Sequence, residues 1–72
     1  MTLSALVMAS IVFHYASPQA VRKGCFGKSA CAFVWSTGKC DIVMPKRGTI
    51  PNNTWIALRR HEIAHCKGMK HR

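Results

Sequence analysis

Four cysteines, Cys25, Cys31, Cys40 and Cys66, in a chain of 72 residues limit what it can fold into. A chain this short builds a small core and usually needs a staple, either disulfides or a bound metal. An even number of cysteines in a small chain points to two disulfides and to an oxidising, extracellular-type setting. Four cysteines allow three connectivities, and sequence does not choose among them. The preferred pairing joins Cys25 to Cys31 as a local loop closure and Cys40 to Cys66 as a tie between a strand and the last helix. A four-cysteine zinc site is the weaker reading because no CxxC pair is present. Four reduced thiols in the core are the remaining alternative.

The second constraint is the run His61-Glu62-Ile63-Ala64-His65-Cys66-Lys67-Gly68-Met69-Lys70-His71, which reads HExxHxxGxxH. On a helix, His61 and His65 leave one face a turn apart, so both imidazoles can close on one ion. Glu62 lies one position round the helix, where a carboxylate can take a proton from a water at that ion. Gly68 permits a left-handed residue at the helix end, which turns the chain and lets His71 approach as a third nitrogen ligand. The pattern fixes five positions, and its chance occurrence in a chain of this composition is on the order of 10⁻⁵. The bland alternative is a basic helix with solvated histidines. The chain holds two acids, Asp41 and Glu62. With Glu62 as the base, the third ligand comes from His71, His14 or Asp41, and His71 has the right spacing. His14 shares a strand face with Val12 and Ala16 and reads as a packed or surface histidine.

These residues resemble the zinc-binding consensus of zincin metallopeptidases in its extended, three-histidine, metzincin-type form. The resemblance implies Zn2+ as cofactor, His61, His65 and His71 as its ligands, and Glu62 as general base and acid. It covers the last eleven or so residues of the chain. Met69 lies inside the motif and does not fill the place of the methionine turn that follows it in metzincins. The whole chain also resembles the very short HExxH proteins encoded by bacteria and their phages. In zincins a strand near the active helix forms the rim of the cleft and pairs with extended substrate. One edge of the hairpin, or the first strand, is expected to do the same here.

Patterning supplies the elements around this helix. Residues 10–16 alternate as a strand, with Ile11, Phe13 and Tyr15 on one face and Val12, His14 and Ala16 on the other. Ser17-Pro18 starts a short helix that stops at Gly24, with Arg22 and Lys23 near its negative end. Residues 30–36 and 39–44 form a hairpin about Thr37-Gly38. Phe33 and Trp35 share one face of the first strand, and Cys40, Ile42 and Met44 share a face of the second. Asn52, Asn53 or Thr54 is expected to cap a last helix running to about Cys66. On that helix Trp55, Ile56, Ile63 and Cys66 pack on the hairpin while Arg59 and Arg60 face out. The expected fold is α+β: one small mini-zincin-like domain over residues 1–72, stabilised by disulfides and zinc, with helices on one sheet.

Residues 1–9 are apolar, lack the basic start of a signal peptide and belong to a run too short to span a bilayer, so they read as a strand extension, a short helix or an interaction arm. The formal charge of +9 favours non-specific anionic surfaces such as acidic peptides, lipid headgroups or cell-wall polymers. No nucleic-acid-reading motif is present, so specific nucleic-acid recognition is not expected. Two functions follow. One is a zinc-dependent hydrolase, a small metallopeptidase acting on a peptide or cell-wall peptide. The other is a non-catalytic, zinc-stabilised structural or interaction protein, part of a phage particle or larger assembly through its apolar N-terminus. Either would work in an extracellular, periplasmic or virion-associated place.

Overall fold

The computed structural model describes residues 10–68. The arm over residues 1–9 and the ligand position His71 lie outside the described residues. The chain runs β1 (Ser10–Ala16), α1 (Pro18–Gly24), β2 (Cys31–Val34), β3 (Lys39–Pro45) and α2 (Asn52–Cys66). This is the α+β order of strand, short helix, hairpin and long C-terminal helix that the patterning implies.

β3 is the centre of a three-stranded sheet ordered β1-β3-β2. The hairpin partner β2 runs antiparallel, with Cys31 opposite Val43 and Val34 opposite Cys40. β1 runs parallel to β3, from Ser10 beside Lys39 to Ala16 beside Pro45. Parallel neighbours need a crossover between them, and α1 lies within it. Its start follows the local chemistry: Pro18 opens the helix and Ser17 Oγ accepts the Ala20 amide at 3.2 Å. β2 is shorter than its β-rich run, because Trp35 to Gly38 form the hairpin turn, with Gly38 at φ 94°.

Strand alternation sorts the two sheet faces. Cys40, Ile42 and Met44 face α2 and are fully buried. Ala30, Trp55 and Cys66 join them, and Ile11, Phe13, Ala32, Ile50, Ile56, Leu58 and Ile63 pack around this cluster. Cys31, registered with Val43, turns to the other face. Its disulfide to Cys25 draws the end of α1 there, where Val21 and Cys25 are buried.

α2 begins at Pro51, not at a capping side chain. None of Asn52, Asn53 and Thr54 acts as the cap. Pro51 stands at the cap position in the extended conformation usual there, φ −56° and ψ 139°, and the Trp55 amide bonds its carbonyl at 3.0 Å. Asn53 sits inside the first turn, and its Oδ1 accepts the Thr54 amide at 2.9 Å.

Two ties hold α2 against β3. Near its start, Trp55 Nε1 donates to the Pro45 carbonyl at 2.9 Å inside the core. At its end, Cys66 is bonded to Cys40. The spans match: Trp55 to Cys66 rises about 16 Å along a helix, and Cys40 to Pro45 about 16 Å along a strand. All four cysteines are paired, Cys25 with Cys31 and Cys40 with Cys66, which is the preferred connectivity.

Loop closure makes the two bridges unequal. Cys40–Cys66 closes a separation of 26 residues and Cys25–Cys31 one of 6. In the chain-entropy treatment these correspond to about 3.5 and about 2 kcal/mol. Denaturant unfolding of the paired alanine variants should therefore show the larger loss for Cys40→Ala with Cys66→Ala. Equal losses, or the reverse order, would show that the long tie does not hold the helix.

Candidate functional site

The face of α2 that packs on the sheet carries Trp55, Leu58, Glu62, Ile63 and Cys66, at the three- and four-residue spacing of an amphipathic stripe. Glu62 therefore occupies a core-facing position. It is 5% exposed and is the one buried charged residue among those described. Burying a carboxylate costs free energy that an apolar side chain here would not. The carboxylate nevertheless stands here, at the edge of a groove it shares with His61 and His65.

His61 and His65, on the same helix, flank this carboxylate. Their Nε2 atoms converge to 3.3 Å, with ring centroids 4.8 Å apart and planes at 77°. Glu62 Oε2 lies 4.0 Å from His61 Nε2. Facing them across a groove of about 230 Å³ are Lys28, Ala30, Ala32 and Val34. β2 is an edge strand, its outer side unpaired by any strand among the described residues. The groove thus has the helix on one side and an open strand edge on the other, with two alanines giving it room.

The histidine pair fits a metal ion. Tetrahedral zinc holds imidazole nitrogens at about 2.0–2.1 Å, which places two of them about 3.3–3.4 Å apart; the observed separation is 3.3 Å. Among the described residues no group of three or more His, Cys, Asp and Glu side chains could hold an ion, and the expected third ligand, His71, is outside them. The cysteines are all in disulfides, so none is available as a thiolate ligand.

The other two residues weighed as third ligand are occupied elsewhere. His14 Nε2 donates to Asp41 Oδ1 at 2.9 Å. Trp35 Nε1 donates to Asp41 Oδ2 at 2.8 Å, and Lys39 Nζ is 3.9 Å from that oxygen. Asp41 alternates with Cys40 and Ile42, so this cluster lies on the sheet face away from α2. The hydrogen bond from His14, then that from Trp35, hold the Asp41 carboxyl below the ordinary carboxylate range; partial burial opposes them, and the Lys39 charge helps.

Sequence reasoning did not single out Lys28, whose place at the groove comes from the fold of the loop before β2. The Trp35–Asp41 bond had a signal, since Phe33 opposes Asp41 across the hairpin and Trp35 shares its face. Two arginines on the α2 side stack on aromatic rings, Arg47 over Trp55 and Arg59 over Phe13, each 4.9 Å from the centroid. Compared with known proteins, the chain matches no protein-family model, no curated protein and no solved structure.

Two outcomes follow. Glu62→Met should raise stability by about 0.5–2 kcal/mol in denaturant unfolding; a loss of stability would mean the carboxylate has a structural role. For Asp41 the folded-state pKa is lowered, so its contribution is present above the unfolded value and is lost as pH falls below about 4. Acid unfolding followed by circular dichroism should show less pH dependence in that range for Asp41→Asn. An unchanged acid limb would remove the cluster from the account.

Proposed function

We propose that the protein is a zinc-dependent hydrolase, a small metallopeptidase with Glu62 as general base. The observation that carries this reading is the convergence of two imidazole nitrogens at zinc-ligand spacing beside a buried carboxylate. His61 and His65 would hold the ion, with His71 as the third ligand by its spacing in the motif. Zinc bound there supplies Lewis-acid chemistry, lowering the pKa of a water towards neutrality and polarising a carbonyl.

The chain's own residues do the rest. The Glu62 carboxylate accepts a proton from the attacking water, whose oxygen bonds to the scissile carbonyl carbon. Glu62 then returns that proton to the amide nitrogen as the carbon–nitrogen bond breaks, giving a carboxylic acid and an amine. The unpaired edge of β2 offers main-chain hydrogen bonds that align an extended peptide along the groove. The substrate class is a peptide or a peptide cross-link of a cell wall, and the charge of +9 suits acidic polymers.

Two disulfides accord with an oxidising, extracellular-type environment. Within it, the proposal places the protein outside the cell, in the periplasm or on a virion.

Glu62→Gln keeps the shape of the side chain and removes the base. Peptide turnover by this variant should fall by about 10²–10⁴-fold, while zinc content by elemental analysis stays at the wild-type level. Turnover equal to wild type would remove Glu62 as the base. Loss of zinc together with turnover would make Glu62 a ligand instead.

A further inference from the structure

Loop 25–31 is built more firmly than its length requires. The Cys25–Cys31 disulfide closes it. Within it, the Cys25 amide bonds Val21 O at 2.8 Å, the Gly27 amide bonds Arg22 O at 2.7 Å, and the Lys28 amide bonds Cys25 O at 3.1 Å. Phe26 and Gly27 are consecutive left-handed residues, at φ 57° and 88°. For a bulky side chain that conformation is unfavourable, and Phe26 gains no burial from it, being 88% exposed. An observed backbone outlier of this kind, held by its surroundings, motivates a functional reading of the segment.

The left-handed pair precedes Lys28, and the fold sets Lys28 at the groove. Lys28 lines the space shared with His61, Glu62 and His65. It also lines an adjoining groove, which passes Thr54, Ala57 and Leu58 on the way to His61 and Glu62. Among the described residues, Lys28 is the one Lys or Arg that lines either groove. Among the described residues it joins no ion pair. An exposed lysine thus borders both grooves that reach Glu62, against walls otherwise made of small, apolar and histidine side chains.

We propose that loop 25–31 is the selectivity element of this groove, and that Lys28 selects peptides carrying a carboxylate side chain next to the bond over Glu62. Cleavage of the selected peptide rests on the hydrolase reading, but the recognition step is a binding event that stands without turnover. Lys28 is a specificity residue and takes no part in proton transfer.

The test uses two sets of extended alanine hexapeptides, one with a single Glu at each position in turn and one with a single Lys. Binding is read by calorimetry on zinc-loaded Glu62→Gln protein, alone and combined with Lys28→Glu or Lys23→Glu. Lys23 lies on α1, lines neither groove, and its substitution changes net charge by the same amount. The Glu62→Gln protein should prefer its best Glu peptide by about fivefold, the scale of one exposed ion pair, and the preference should shrink with salt. Lys28→Glu should invert it, and Lys23→Glu should leave it in place. Equal effects of the two reversals would assign the preference to the general charge and overturn the proposal. So would the absence of any preference, or of any peptide binding. Turnover of the same peptides by wild-type protein judges the hydrolase reading separately: binding with the predicted preference and no cleavage keeps the selectivity loop and removes the hydrolase.

Discussion

The structure depends on α2 being fastened to β3 at two points. The Trp55 indole bonds the Pro45 carbonyl at one end, and the Cys40–Cys66 disulfide closes the other. Between these ties the helix has no freedom to roll, so each position on it has an assigned direction. Trp55 and Cys66 enter the core, and Glu62, on the same stripe, must enter with them. His61 and His65 are carried to the β2 side, where their nitrogens meet. In so small a chain, packing alone supplies little rigidity; the covalent tie provides it where the site needs it.

The electrostatics have the same economy. With eleven basic residues and two acids, each carboxylate has a defined place. Asp41 is held on the far face by hydrogen bonds from His14 and Trp35, with Lys39 nearby, where it links β1, the hairpin turn and β3. Glu62 is buried beside the histidines, in a position an apolar residue could fill at lower cost. One acid serves the sheet, and the other is set in a groove with room for a ligand. This division supports assigning chemistry to Glu62 and structure to Asp41.

Much of the fold was legible in local pattern. Alternation in Ser10–Ala16, the Ser17-Pro18 start and the Thr37-Gly38 turn are short-range signals, and each element formed where they stood. The cysteine pairing was a preference among three connectivities, and the structure has that preferred pairing. The parallel pairing of β1 with β3 was not legible, since it depends on how α1 crosses the sheet and no neighbouring residues encode that. The start of α2 misled because Asn52, Asn53 and Thr54 are good caps in general, while Pro51 takes the cap position. For the site, His61 and His65 were readable from their spacing, a property of the helix alone. The burial of Glu62 and the arrival of Lys28 at the groove are tertiary facts. The first needs the helix stripe docked on the sheet, and the second needs the disulfide-closed loop before β2.

The proposed function requires that His61 and His65 on α2 hold a metal ion. Zinc titration of metal-free protein by calorimetry tests it most directly, comparing the wild-type chain with His61→Ala combined with His65→Ala. Both proteins keep the disulfides and the Trp55 tie, so the comparison is between folded chains. One equivalent of zinc should bind to the wild type and none to the variant at the same concentrations. Equal binding by the two, or no binding by either, would contradict the proposed function.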